Sequence, residues 1–383
     1  MTGLRQGPFA PGAFPSRLRS PWLTSRLGVA LAVAFTICFG TGLLDHLIQH
    51  PPGWFSWPTD PVWLFRVTQG LHVATGLAII PLLGVKLWSV YPKLFTWPAL
   101  RGLPHALERL SILVLVAAAL FQIVTGVLNI ALWYTPMHFY FPSAHYWTAW
   151  LAIGAIVTHI GVKLPVIREG LWRSRGDGRG GGGGLSRRGL LAATFGAAGV
   201  ITLATLGQTV AALVPVSLLA PRRPRVGPQE LPVNRSATAA GVLTLAVDPA
   251  YKLMILGPSG SRSFTVAELA SMPQHTESLP ITCVEGWSAD AVWTGVRLND
   301  LIALVAPPGR YEVEAESLER VGIYRITVVD PPHAADPRTL VALQLRGEPL
   351  DIDHGYPARL ISPNRPGVLQ TKWLSRLTVR PAP

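Results

Sequence analysis

Ile281-Thr282-Cys283-Val284-Glu285-Gly286-Trp287-Ser288 leads into Trp293-Thr294-Gly295-Val296 and then into Leu298 to Val305. The first stretch puts a single cysteine in a strand. The last reads as a short helix with Leu298, Leu301, Ile302 and Val305 on one side. Taken alone, such a cysteine is a small buried hydrophobe. The chain has only 2 cysteines, Cys38 in an apolar run and Cys283 in a polar half, so a disulfide framework is excluded. Around Cys283 the sequence is broken into short β-like stretches, such as Val242 to Val247 and Tyr324 to Val329, punctuated by Gly and Pro at turn positions. This character begins after Pro221 and marks residues 221–383 as a separate soluble unit.

Upstream the composition is different. Leu27 to Leu44 is apolar and almost uncharged, and similar runs follow from Leu64 to Trp88, Leu110 to Leu132, Tyr146 to Val166 and Leu190 to Leu219. Each is long enough to cross most of a hydrocarbon core of about 30 Å. The expected architecture is therefore multi-domain. An N-terminal all-α transmembrane four-helix bundle and a fifth transmembrane helix precede a C-terminal α+β, β-rich domain. The expected segments are 1–26 (cytoplasmic N-terminus), 27–168 (four-helix unit), 169–188 (basic, Gly-rich linker), 189–220 (fifth helix) and 221–383.

Of the 383 residues only 14% are charged and 49% are hydrophobic, against a net charge of +12. That surplus would suit a nucleic-acid binder, but its placement assigns it to membrane topology. Arg5, Arg17, Arg19 and Arg26 precede the first span, Lys93 and Arg101 lie between the second and third, and Arg168, Arg173, Arg175, Arg179, Arg187 and Arg188 lie between the fourth and fifth. The alternate loops, Asp45 to Val62 and Trp133 to His145, have no Lys or Arg, as expected of the translocated side. Five spans then leave the C-terminal domain outside a bacterial plasma membrane, with membrane lipid rather than nucleic acid as partner. Gly176 to Gly184 reads as a flexible hinge, not a phosphate loop, because no Gly-Lys-Ser/Thr opens a helix after a strand. Ser186-Arg187-Arg188-Gly189-Leu190-Leu191 looks like an embedded twin-arginine export signal; the two arginines also read simply as the cytoplasmic flank of the fifth span.

Histidine inside a lipid span is costly and so marks function. His72 lies in the second span near Gly70 and Gly76, which would let a planar macrocycle approach the backbone. His145 and His159 are fourteen positions apart, so they share a helix face about 21 Å apart along the axis and cannot ligate one iron. Imidazoles on facing helices are axial ligands suited to haem b, with His72 and either His145 or His159 as candidates and His46 as another partner for His72. The pattern resembles four-helix cytochromes b of the bacterial b561 and ferric-reductase-like kind, which carry histidines about fourteen apart. Here the position fourteen after His72 is Lys86.

The C-terminal motifs resemble the sulfite oxidase superfamily. Besides the Cys283 segment, Leu231-Pro232-Val233-Asn234-Arg235-Ser236, Leu345-Arg346-Gly347-Glu348-Pro349-Leu350, His354-Gly355-Tyr356-Pro357-Ala358-Arg359 and Thr371-Lys372-Trp373 follow the family's order and spacing. The resemblance implies a Mo-molybdopterin cofactor with Cys283 as the protein ligand of the metal. It also implies pterin contacts from Asn234, Arg235, Ser317, His354, Arg359, Gln370, Thr371 and Lys372, with Arg359 and Lys372 suited to the phosphate. A soft thiolate suits a metal that carries oxo groups. The Cys-Val-Glu-Gly-Trp-Ser context is similar to the periplasmic methionine sulfoxide reductase branch, although His354 stands where that branch commonly has asparagine and Asn364-Arg365-Pro366-Gly367 is its own. The family's last strand is followed closely by Pro383, so the dimerisation domain of eukaryotic sulfite oxidases is not expected in this chain.

The expected function is oxygen-atom transfer at an extracytoplasmic molybdenum centre coupled through membrane haem to quinol or quinone. A small-molecule oxo donor or acceptor is the substrate, a sulfoxide or N-oxide in one direction or sulfite in the other. The rival from another class is a non-enzymatic membrane electron-carrier or binding protein.

Overall fold

A computed structural model describes residues 10, 13–95, 102–172 and 185–382. The Gly-rich hinge lies outside them, as do Arg5, Arg101, Arg173, Arg175 and Arg179. Among the described residues five helices are long and apolar enough to cross a membrane: α1 (Pro21–Gln49), α2 (Leu64–Val90), α3 (Leu103–Ile130), α4 (Phe141–Trp172) and α5 (Arg187–Leu206). Each keeps large apolar side chains on its outer surface, for example Val33, Leu71, Leu113, Val157 and Val200. Lipid, not water, is the solvent in which such a surface is stable.

The fifth helix ends at Leu206, well short of the Leu219 expected from hydropathy. Gly207 explains the break. Its N–H donates to Ser217 Oγ, and a Cβ there would lie 2.6 Å from the Leu213 carbonyl oxygen, so the chain folds back on itself at a residue that has no side chain.

The contacts divide the chain into two compact units. The first comprises residues up to Leu43 together with Leu71–Thr205. Within it Leu23, Leu27 and Leu31 of α1 pack with Ile79, Leu82 and Leu83 of α2 and Ala119 of α3, and α3 packs along α4.

The second unit joins Leu44–Gly70 to Leu206–Pro383, so the segment between the first two spans folds with the C-terminal domain. After the short helices α6 (Ala237–Ala240) and α7 (Leu243–Ala246) come two sheets. Val242 to Val247, expected as β-like, is thus mostly helical: four-residue helices are too short to show a 3.6-residue period. The first sheet has the order β2 (Gly260–Phe264), β1 (Leu253–Gly257), β10 (Leu374–Pro381), β5 (Tyr311–Ser317), β6 (Ile326–Val329), with β1 and β10 parallel. The second runs β3 (His275–Thr282), β4 (Ser288–Arg297), β7 (Leu340–Leu345), β8 (Glu348–Pro349), with β9 (Arg359–Ile361) also paired to β7.

Helices α8 (Val266–Ser271), α9 (Leu298–Ala303) and α10 (Pro331–Ala335) complete the unit. Helix α8 opens on a capping box in which Thr265 and Glu268 satisfy each other's backbone N–H groups. Pro280 is tolerated in β3 because that strand is the edge of its sheet. The register of β4 on β7 shifts at Gly295, where a Cβ would lie 2.1 Å from the Val341 carbonyl oxygen. A core of Leu279, Ile281, Trp287, Trp293, Leu345 and Ile361 backs the β3–β4 connection and includes Cys283.

Candidate active site

Cys283 follows β3 directly and β4 begins at Ser288, so the cysteine stands in the tight connection between two paired strands. Gly286 N–H donates to the Cys283 carbonyl (3.0 Å) and Cys283 N–H to the Trp287 carbonyl (2.9 Å), with Gly286 at φ 97°, a conformation that glycine adopts without cost. Pro366 forms an isolated bridge with Thr282, tying the loop that departs from the reductase pattern to the cysteine strand.

All nine site residues expected in this domain, Asn234, Arg235, Cys283, Ser317, His354, Arg359, Gln370, Thr371 and Lys372, line one cavity of about 180 Å³. They come from five separate stretches of chain. The cavity is also lined by Glu319, Ile323 and Tyr324, which sequence reasoning missed because they lie in an irregular segment with no motif around them.

Asn234 connects to the turn at both ends. Its Nδ2 donates to Cys283 Sγ at 2.7 Å and to Glu285 Oε2, and its Oδ1 accepts from Trp287 Nε1 at 2.9 Å. Arg359 Nη1 donates to the His354 carbonyl at 3.2 Å and its guanidinium lies over the Trp293 ring. Lys372 Nζ donates to the carbonyls of Arg235 (2.9 Å) and Asp353 (2.7 Å). Arg235 pairs with Glu319 at 3.1 Å. Ser317 Oγ donates to the Lys372 carbonyl, and Thr371 Oγ1 bonds Thr327 Oγ1. These bonds fix the polar lining before any ligand arrives.

The electrostatics reflect burial. Burial pushes the Cys283 thiol well above its ordinary value, with the Glu285 charge adding to the effect and the Asn234 hydrogen bond opposing it. Glu285 is pushed up to about 7 by burial, against the pull of Arg222. Burial likewise lowers Arg359 to about 9 and Lys372 to about 7. A cavity of this kind disfavours bare charge on every wall, and a metal cation at the sulfur and an anion at the two bases would each supply the missing countercharge.

The donor set fits a molybdopterin. Arg359 Nε and Gln370 Oε1 are buried in the cavity wall with no hydrogen-bond partner in the protein, a costly state that a polar ligand relieves. Among the described residues no cluster of three or more His, Cys, Asp or Glu could hold a metal ion by itself.

In the other unit, His72 and His145 face each other with ring centroids 6.3 Å apart. The Nδ1 atoms of both are engaged, His72 with the Cys38 carbonyl at 2.9 Å and His145 with Thr125 Oγ1 at 2.7 Å. Gly42 makes room for the first ring, since a Cβ there would lie 2.6 Å from His72 Cε1. His159 instead lies among Lys86, Lys163 and Glu108, and Glu108 pairs with Lys163. His46 lies beside His50, with ring centroids 4.8 Å apart, in the unit that contains the candidate cavity.

The sequence profile of the oxidoreductase molybdopterin binding domain matches residues 241–383. The mitochondrial sulfite oxidase of Drosophila melanogaster is 29% identical over 161 residues, 34% of this chain and 27% of that protein. Human mitochondrial sulfite oxidase is 27% identical over 164 residues, 35% of this chain and 30% of that protein. A protein of Azospira oryzae named as a protein-methionine-sulfoxide reductase subunit, YedZ1, is 30% identical over 130 residues, 34% of this chain and 48% of that one. The chain therefore spans about 30% of the length of the sulfite oxidases and about half of the reductase subunit. Residues 241–383 thus match a molybdopterin-binding oxidoreductase domain, and over this part the chain is similar to sulfite oxidases and to the reductase subunit.

Proposed function

We propose that this chain is a membrane-bound oxygen-atom transferase that works at an extracytoplasmic molybdenum centre and exchanges electrons through haem b with the quinone pool. The reading rests on one observation: nine residues from separate parts of the chain converge on a cavity with Cys283 in its wall and unpartnered buried polar atoms on Arg359 and Gln370. Bound there, Mo-molybdopterin supplies oxygen-atom transfer by two-electron chemistry.

The chain's own residues set the conditions. Cys283 provides the thiolate, and Asn234 donates a hydrogen bond to that sulfur and restrains Trp287. Arg359 and Lys372 present positive charge to the pterin phosphate, and Arg235, Ser317, His354, Gln370 and Thr371 bind its polar edges. Their carbonyl contacts hold them in place, so little side-chain freedom is lost on binding. Trp287, Ile281 and Val368 keep the sulfur side of the cavity apolar and limit water.

For the membrane unit, the separation of the His72 and His145 rings supports a shared iron. If a haem b bound there, His72 and His145 would each supply an imidazole nitrogen to its iron, and the haem would supply one-electron transfer. Hydrogen bonds at Nδ1 orient both rings as ligands. The proposed substrate is a sulfoxide or N-oxide, in keeping with the likeness to the reductase subunit; sulfite as oxo acceptor is the same site working in the opposite direction.

Two measurements test the reading. Wild type matured with cofactor should hold about one molybdenum per chain on the single-thiolate reading, and Cys283→Ser should lose it; equal, metal-free preparations of both would end the enzyme reading. A panel of sulfoxides, N-oxides and sulfite, followed by oxidation or reduction of the haem band, then assigns substrate and direction.

A further inference from the structure

Helix α5 gives way at Gly207 to a short hook, residues 207–220, whose middle is a 3-10 helix (Ala211–Val216). The hook is held from within and from behind. Leu213 N–H donates to the Val210 carbonyl at 2.9 Å, and Ser217 Oγ accepts from Gly207 N–H. The Gln208 carbonyl accepts from Ser288 N–H at 2.7 Å and Thr209 Oγ1 donates to the Gly286 carbonyl, so the hook grips the Cys283 turn. Gln69 Nε2 reaches the same turn at the Val284 carbonyl, 2.6 Å away, and Gly70 leaves room for Thr209, since a Cβ there would lie 3.3 Å from Thr209 Cγ2.

The burial of this segment is inverted. Its buried side chains are polar, Gln208, Thr209 and Ser217, whereas Val210, Val216, Leu218 and Leu219 are exposed, Leu218 to 77%. A loop that faces water sorts its residues the other way, because apolar surface gains free energy by leaving water. On α5 just before the hook, Phe195, Val200 and Leu203 are exposed as well. No exposed polar residue separates Leu203 from Val210, so the apolar surface passes from a lipid-facing helix onto the hook. This continuity explains why hydropathy runs on to Leu219 although the helix stops at Leu206.

The charges that follow point to the same partner. Arg222, Arg223 and Arg225 come directly after the hook, and no Asp or Glu occurs between Arg188 and Gln229. Arg223 and Arg225 are exposed. On the topology proposed above, the two interspan loops of that side carry no Lys or Arg, so topology does not account for these three. Phosphates at a bilayer surface do.

We propose that residues 210–225 are an interfacial membrane anchor. Val210, Val216, Leu218 and Leu219 enter the boundary between headgroups and acyl chains, about 5–10 Å deep, and Arg223 and Arg225 bind the phosphates of anionic phospholipid. The anchor requires that α5 spans the membrane and depends on neither cofactor. The segment that holds the Cys283 turn is thus also the one that touches lipid.

The test uses the full-length chain in nanodiscs of mixed phosphatidylglycerol and phosphatidylcholine, with a photoreactive benzophenone amino acid in place of Leu218. At so exposed a position the label leaves packing intact. The same label in place of Val200 on α5 is the positive control, and in place of Arg262 on the edge strand β2 the negative one. Illumination and mass spectrometry should find phospholipid attached at positions 218 and 200 and none at 262. At position 218 phosphatidylglycerol should exceed its share of the bilayer by about fivefold, the equivalent of one basic residue at a charged surface. Arg223→Ser combined with Arg225→Ser should abolish that excess while lipid capture persists. A second copy of the chain attached at 218 overturns the proposal, as does absence of lipid there when position 200 captures it. Equal capture at 262 overturns it too, since the bilayer would then not select the hook. Capture without the excess, or an excess that survives both arginine changes, refutes the binding of anionic lipid.

Discussion

Asn234 touches both ends of the cysteine turn, with Nδ2 2.7 Å from Cys283 Sγ and Oδ1 2.9 Å from Trp287 Nε1. One side-chain amide thus reads the sulfur and the indole together. Asn234→Leu, similar in volume but without donor or acceptor, should lower molybdenum affinity by about tenfold or more, in the range of outer-shell changes at other metal sites. Metal analysis after dialysis against a chelator measures this. Full retention would remove Asn234 from the ligand's support.

The proposed haem pair makes a prediction with a built-in control. His72→Ala and His145→Ala should each abolish the haem band in a reduced-minus-oxidised spectrum of the membrane fraction, because each would leave one face of the iron without its axial ligand. His159→Ala, which lies among Lys86, Lys163 and Glu108, should keep the band. A band that survives the first two changes and vanishes with the third would reverse the assignment.

His354 predicts an acid-sensitive domain. Burial, aided by Arg359 and Lys372, lowers its pKa to about 4 in the folded protein, against an ordinary value of 6.5, and its neutral ring donates from Nε2 to the Pro228 carbonyl. Between these two values the unfolded chain binds the proton and the folded chain does not. Stability therefore falls as pH drops through that window, by about 3 kcal/mol in all for this group. Denaturant unfolding of the cofactor-free protein at pH 7 and pH 4.5 checks it. His354→Asn should flatten the profile, and an equally steep variant would assign the loss to other groups.

Asn364 joins the interspan segment to the catalytic domain. Its Oδ1 accepts from Phe65 N–H (2.8 Å), its Nδ2 donates to the Pro58 carbonyl (2.7 Å), and its own carbonyl accepts from Trp57 Nε1 (2.8 Å). It also holds φ at 53°, in the left-handed region. Asn364→Gly, which keeps that backbone but loses both side-chain bonds, should cost about 1–3 kcal/mol, and Asn364→Ala somewhat more for the added backbone strain. Thermal unfolding would show the order, and a glycine variant worse than alanine would contradict the backbone argument.

Much of this was legible in the sequence, for physical reasons. The five apolar helices announce themselves because a lipid span requires continuous hydrophobicity, and Cys283 is conspicuous because a lone cysteine sits in a recognisable segment. Seven of the nine cavity residues could be named because they lie in motifs that keep a fixed order; Ser317 and Gln370 lie in none of them and follow only from the resemblance. Gln69, Gln208, Thr209 and Asn364 could not be, since each acts through a bond to a residue far along the chain and no local period marks it. Gly207 was overlooked because hydropathy averages across a single glycine, whereas the helix ends there for want of space. His72 and His145 were both candidates, but which histidine His72 faces depends on helix packing and could not be read from spacing.

The grouping of Leu44–Gly70 with Leu206–Pro383 bears on how the protein is made. The ribosome finishes Trp57, Asp60 and Arg66 long before it begins their partners Asn364, Arg338 and Asp290. On the topology proposed above, the earlier segment must then wait across the membrane, unfolded or chaperoned, until the later one is delivered to the same side. A secreted fragment starting after the fifth helix would lack this first-made piece altogether, and its exposed Asn364 and Arg338 would be the natural places for misassembly to begin.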